Sequence, residues 1–316
     1  MANGLVNSQK DLINDAVRLL VDPVAFIGEV PPTPLFQGTN YGYTSGGDDG
    51  PGNSNVIDKF SFTSDDNAAD VGDLTVGRQG PAGQSSAVSG YTSGGGLNPP
   101  ASVYNVIDKF PFSSDANATD VGDLTSSKKT VWGQSTISGG YGYTSGGLPG
   151  PINDIQKFPF AADANAADVG DLTVARYWGT GQSSTENGYS SGGAFPASNV
   201  IDKFPFASDA NATDVGDLTV ARYGLSGQSS DVSGYSATNT TIDKFPFASD
   251  ANATDVGDLT DNRDQIAGQS STTSGYASGG APASNIIDKF SFSADGNATD
   301  IGDLSVARRM GAGQQY

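Results

Sequence analysis

From Tyr41 onward the apolar positions do not follow helical spacing. They come in short β-branched or aromatic runs such as GYTSGG, NVIDKFPF, DVGDLTVAR and GQSS, cut apart by clusters of Gly, Asn, Asp, Ser and Pro. Within Asn199 to Phe206 the pattern alternates: Val200, Asp202, Phe204 and Phe206 fall on one side, Ile201 and Lys203 on the other. Each run is therefore a predicted strand, and Pro205 with its counterparts Pro111, Pro159 and Pro246 marks a strand end, because proline cannot donate to a ladder.

The runs recur as a unit. One phenylalanine returns at Phe60, Phe110, Phe158, Phe204, Phe245 and Phe290, at spacings between 41 and 50 residues. A repeat of that length is one supersecondary element that cannot bury its apolar face alone. Four strands per unit predict a β-propeller, and six units predict six blades over residues 41–316. The array begins at Tyr41 with YGYTSGG, which elsewhere follows GQSS, and it closes with GAGQQY, which elsewhere precedes GYTSGG. Pairing of Gly311–Tyr316 with Tyr41–Gly47 would share one blade between the two ends and remove the open sheet edges. The repeated rings are expected between neighbouring blades, and Gln84, Gln134, Gln182, Gln228, Gln269 and Gln314 on the innermost strands, near the channel.

Residues 1–40 stand outside the repeat. NSQKDLINDAVRLLVDP predicts an amphipathic helix, with Ser8 as N-cap, an apolar stripe of Leu12, Ile13, Ala16, Val17, Leu19 and Leu20, and Pro23 as the stop. An extended, proline-stiffened arm carrying Val24, Phe26, Ile27, Leu35 and Phe36 follows. The stripe needs a partner, so Leu12, Ile13, Val17, Leu20, Phe26, Ile27, Leu35 and Phe36 are candidate docking residues; the alternative is that the helix folds back on the propeller rim. The segment is too short and acidic to span a bilayer, and it lacks the basic start and cleavage site of an export signal.

Composition narrows the chemistry. The chain of 316 residues has neither Cys nor His, which removes disulfides, zinc sites and Ser–His or Cys–His pairs. Its formal charge of −19 argues against nucleic acid and anionic membranes as partners. Nearly all the acid is Asp; Glu occurs only at Glu29 and Glu186. No cofactor is expected. Calcium is the alternative, since the segment Asp209 to Asp217 offers oxygen ligands in a tight loop, but its spacing matches no EF-hand and suits an Asx-rich hairpin.

The repeat resembles the kelch propeller family. Tyr43, Tyr91, Tyr143, Tyr189, Tyr235 and Tyr276 stand where that family has its tyrosine, and five diglycines follow, with Thr238-Asn239 in place of the fifth in chain order. Arg78, Arg176, Arg222, Arg263 and Arg308 match the family's arginine, with Lys128 in the second unit, while its outer-strand tryptophan is absent. The wording IDKFPFASDANATDVGDLT with GYTSGG is also similar to kelch-like repeat proteins of marine tailed bacteriophages. That resemblance implies a virion setting; assembly in the host cytoplasm, multiple copies per particle and, from the unpartnered apolar stripe, attachment to other virion proteins through residues 1–40 are expected with it.

Differences among the units add a direction. Connections after the diglycine and connections into the innermost strand vary, and in an up-and-down blade both fall on one end, whereas the nearly constant DANATD turns fall on the other. On the varied face Lys128, Lys129, Trp132, Tyr177, Trp178 and Tyr223 are the candidate ligand-binding residues, their rings suited to stacking on a host-surface glycan or to a protein hot spot. The expected function is a non-enzymatic virion structural protein, a fibre, decoration or adhesin displaying its propeller. The alternatives are a tail-associated glycan-binding receptor module and a polysaccharide hydrolase working through a carboxylate pair.

Overall fold

The computed structural model describes residues 37–50, 52–98 and 102–316. Six antiparallel sheets form the blades of a propeller. Blade 1 runs, from the innermost strand outward, Ala312–Gln315, Tyr41–Ser45, Val56–Ser61 and Ala69–Asp73. Blade 2 repeats the order with Ala82–Ser85, Ser89–Ser93, Val106–Pro111 and Thr119–Asp123. Blades 3, 4 and 6 start at Trp132–Thr136, Thr180–Ser183 and Ala267–Ser270 and end at Ala167–Arg176, Thr213–Asp217 and Thr299–Arg308. In blade 5 one long strand, Ser233–Pro246, serves both middle positions. Thr238-Asn239 makes its bend, and Asn239, a residue that tolerates left-handed backbone, has φ +54°.

The ring closes as the interrupted repeat predicts. Ser45 pairs with Ala312 and Gly42 with Gln315, and Tyr316 exchanges backbone hydrogen bonds with Tyr41. Its ring stacks on Phe112 of blade 2 at 5.2 Å. The last residues thus tie blade 1 to itself and to its neighbour.

Each core cluster lies between two blades. Tyr189, Ile201 and Leu218 of blade 4 meet Phe245, Phe247 and Ala253 of blade 5, and the same six positions build the other five interfaces. The tyrosine stacks on the second phenylalanine, 4.8 Å between Tyr189 and Phe247, and tilts against the first. Ile201 and Phe204 project from opposite faces of one strand, yet both are buried, because each face of a blade is covered by a different neighbour.

Closed rings of polar contacts run round the propeller. The six glutamines are on the innermost strands as expected, but they turn away from the channel and are at most 2% exposed. Gln84 Nε2 donates to the Tyr143 carbonyl, Gln134 to Tyr189, Gln182 to Tyr235, Gln228 to Tyr276, Gln269 to Tyr43 and Gln314 to Tyr91. What faces the axis is Gly83, Gly133, Gly181, Gly227, Gly268 and Gly313. A Cβ at any of them would overlap the carbonyl oxygen of the preceding glycine round the circle. These strands can approach so closely only because the side chain is missing.

A second ring is ionic and buried. Arg78 pairs with Asp108 of the next blade at 3.0 Å, both side chains fully enclosed, and Arg176–Asp202, Arg222–Asp243, Arg263–Asp288 and Arg308–Asp58 repeat the arrangement. The carboxylate also accepts from a threonine or serine of the preceding blade, as Asp108 does from the Thr75 N–H and hydroxyl. Burial pushes the Arg78 guanidinium below its ordinary pKa, and the attraction of Asp108 opposes that shift. The sixth pair is altered on both sides. Gln156 stands where the other blades have Asp, Lys128 where they have Arg, and Asp154, two residues earlier on the same strand, receives the Lys128 ammonium. Burial lowers the Lys128 pKa, again against the pull of Asp154.

The constant end carries the outermost rings. Lys109 reaches Asp163 in the next blade's turn at 2.9 Å, and five equivalent pairs complete the circle. The turn asparagines accept from the previous blade, Asn211 Oδ1 from the Asp171 N–H and Asn117 Oδ1 from that of Asp73. Of the oxygens that suggested a calcium loop, those of Asp209 and Asn211 are thus bonded across the blade interface, and Asp214 accepts from the Gly216 N–H of its own strand. Among the described residues no cluster of three or more acidic, His or Cys side chains could hold a metal ion.

Candidate recognition face

Strand direction puts the two variable connections on one end, and they touch there. Gln79 bridges Gly96, Lys129 bridges Leu148, Tyr177 bridges Ala194, Asp264 bridges Ala281 and Arg309 bridges Asp48. One residue further along lies the mouth of the central channel. Gly80, Thr130, Trp178, Gly224, Gln265 and Met310 occupy equivalent places, two residues after the buried cation, and all have left-handed φ between 56° and 69°.

These six form a continuous belt. The Gly80 N–H donates to the Met310 carbonyl, Thr130 to Gly80, Trp178 to Thr130, Gly224 to Trp178, Gln265 to Gly224 and Met310 to Gln265, at 2.6 to 3.1 Å. Every bond is between backbones, so the side chains at these positions are not needed to hold the belt. Two of the six are glycine, the residue this backbone favours; Thr, Trp, Gln and Met occupy the rest at a strain of about 1–3 kcal/mol each.

One sector of the face is aromatic. Trp178 stacks on Tyr223 with 5.5 Å between centroids and 22° between planes, and Tyr177 meets Trp178 edge-on at 5.3 Å. Phe195, next to the Tyr177–Ala194 bridge, is 67% exposed and Tyr223 is 41% exposed. Blade 5 lacks the residue that would bridge back to Tyr223, because its second and third strands run on without a loop.

Of the predicted ligand residues, Tyr177, Trp178 and Tyr223 are brought together here. Lys129 is half-buried in another sector, its Nζ donating to the Leu97 carbonyl at 3.1 Å. Two expectations are corrected. Lys128 is fully buried, because its position belongs to the internal ionic ring. Trp132 is 4% exposed: it is the first residue of an innermost strand, its indole N–H donates to Ser190 Oγ at 2.8 Å, and its ring joins the cluster between blades 3 and 4. Thr130, Gln265, Met310 and Phe195 were not anticipated; for the first three the signal was available in the mixture of glycine and large residues two places after each repeated cation.

The candidate docking residues Leu12, Ile13, Val17, Leu20, Phe26, Ile27, Leu35 and Phe36, and the helix proposed for them, lie outside the described residues. The described chain reaches the propeller at Gln37. Gln37 Nε2 donates to the Ser229 carbonyl at 2.9 Å, Gly38 pairs with Ser271 and donates to Ser270, and Asn40 donates to Tyr316. Ser229 and Ser270 end innermost strands on the constant end. The first described residues therefore lie at the channel rim opposite the aromatic sector.

Every Lys and Arg from Tyr41 onward is committed to an intramolecular partner: twelve in the two ionic rings, Arg309 on Asp48 and Lys129 on Leu97. Among the described residues no helix is long and apolar enough to cross a membrane. Fold and face together define a closed six-bladed β-propeller with one constant and one variable end. No protein-family model matches the chain, and no curated protein matches it.

Proposed function

We propose that this protein is a non-enzymatic structural component of a tailed-phage particle, a kelch-type propeller held by its N-terminal segment with its variable face turned outward. One observation carries the reading: the chain joins the propeller at Gln37 on the constant end, opposite the belt. An anchor formed by the preceding residues would leave the variable loops facing away from the particle, where recognition loops are useful. The repeat wording supports the phage setting, and the kelch assignment rests on the tyrosine, diglycine and arginine positions. Other virion proteins are the partners of residues 1–40, and a particle carries several copies.

The experiment is deletion of residues 1–36. The truncated chain should stay soluble and melt cooperatively but fail to join assembled particles, and antibody against residues 41–316 should label particles carrying the full chain. Normal incorporation of the truncated chain, or particles without label, would sink the proposal.

A further inference from the structure

The aromatic sector has a chemistry of its own. The basin at the channel mouth is lined by Gly80, Pro81, Thr130, Trp178, Gln265 and Met310 together with neighbouring apolar residues, and no charged side chain takes part. In a chain of net charge −19, in which charge is bound into rings elsewhere, an uncharged basin is a specific feature. Trp178 Nε1 and Gln265 Oε1, on two residues of this lining, are buried and have no hydrogen-bond partner among the described residues. The Trp178–Tyr223 stack stands beside them, with Phe195 further out.

From these observations we infer that the channel mouth on the variable face binds an uncharged sugar ring of a polysaccharide, stacked on the Trp178–Tyr223 pair with the Gln265 side chain at its edge. Flat amphipathic rings beside a few polar atoms are what a sugar, apolar on its faces and polar at its edge, requires. An acidic polysaccharide would be repelled by the protein's field. A protein partner would need about 800 Å² on this side, well beyond a few rings round a channel mouth. The strain accepted at Thr130, Trp178, Gln265 and Met310 points the same way, because glycine serves the belt at Gly80 and Gly224 and the belt's bonds are all between backbones. The inference rests on the variable face being the outward one and gives that face its ligand class.

The test is equilibrium titration of the full chain, followed by tryptophan fluorescence, with neutral hexasaccharides of glucose, galactose, mannose and N-acetylglucosamine, and with a polysialic acid hexamer as the charged comparison. Trp132 is enclosed, so Trp178 should carry the response. The expected result is a saturable change with at least one neutral probe, weakened about tenfold or more by Trp178→Ala and by Gln265→Ala, with melting temperatures near that of the parent chain. Absence of saturation with every neutral probe, binding that survives both substitutions, or a response to polysialic acid alone would overturn it. Particle incorporation is scored separately with the 1–36 deletion, so a failed sugar titration with normal incorporation of the full chain rejects the ligand and leaves the display role standing.

Discussion

The indole of Trp132 occupies the space that a side chain at Gly179 would take: a Cβ built on Gly179 would come within 3.0 Å of Trp132 Cη2. At the corresponding place in the next two interfaces Leu225 and Ile266 supply the apolar bulk, and the residues preceding them in the ring are small. Blade 3 thus donates the filler that blade 4 lacks. Trp132→Ala should destabilise the protein by about 3–5 kcal/mol, whereas Trp178→Ala should change stability little. Adding Gly179→Leu to Trp132→Ala should recover part of the loss, which thermal unfolding of the four chains would measure as a coupling between the two sites.

The buried ionic ring should be far more sensitive than the outer one. Asp202→Ala leaves Arg176 enclosed without its carboxylate and should cost about 3–5 kcal/mol. Lys203→Ala, on the same strand, removes a pair that is open to water at the Asp250 end and should cost about 0–1 kcal/mol. Denaturant midpoints of the two variants would separate them; equal losses would contradict the distinction.

The glycine ring sets a limit on the channel wall. Gly133→Ala should cost about 1–3 kcal/mol or more, because the new methyl meets the Gly83 carbonyl rather than a side chain that can move. Gly139→Ala is the comparison, since the atoms nearest a Cβ there belong to the Thr136 side chain, in the hairpin that follows the innermost strand of blade 3. Circular dichroism melts of both should show the channel variant as the damaged one.

Alkaline pH should unfold the protein through its interface tyrosines. Burial raises the pKa of Tyr189 from 10.0 to about 12, and it pushes Tyr43, Tyr91, Tyr143, Tyr235 and Tyr276 upward as well. The fold therefore favours the neutral phenol. Its contribution is complete below pH 10, the unfolded value, and is lost as pH rises through the folded value, at up to about 1.4 kcal/mol per tyrosine per pH unit. Melting temperature should fall steeply between pH 10 and pH 12, with phenolate absorbance appearing at the unfolding transition rather than before it.

Removal of residues 312–316 should open the ring. The second strand of blade 1, Tyr41–Ser45, would lose its partner and become an exposed edge. The truncated chain should melt less cooperatively and self-associate, which light scattering at increasing concentration would detect.

Most of the propeller was legible from repetition. Blade number, the shared first blade and the burial of Tyr189 and Phe204 all follow from positions that return in every unit. What escaped was the depth of single residues near element boundaries. Trp132 read as part of a loop because KKTVW is unlike its counterparts, yet it begins an innermost strand where the other blades carry Ala, Thr or Ser. Lys128 could have been recognised as buried, since Gln156 in the next unit departs from the pattern at the partner position. Such paired departures are visible only once the partners are known, because they are 28 residues apart in sequence and belong to adjacent blades.

The glycine circle also bears on how such a chain can change over generations. Six near-identical units invite recombination between repeats, which would exchange, add or remove blades. Exchange preserves most contacts, because each interface is built from the same positions, and it separates only matched departures such as Lys128 with Asp154 and Trp132 with Gly179. A seventh unit would pull the inner glycines apart, and a fifth would drive them together, so the circle tolerates shuffling but not a change in number. New binding properties would therefore arise by trading mouth residues among blades, within a frame whose count of six stays fixed.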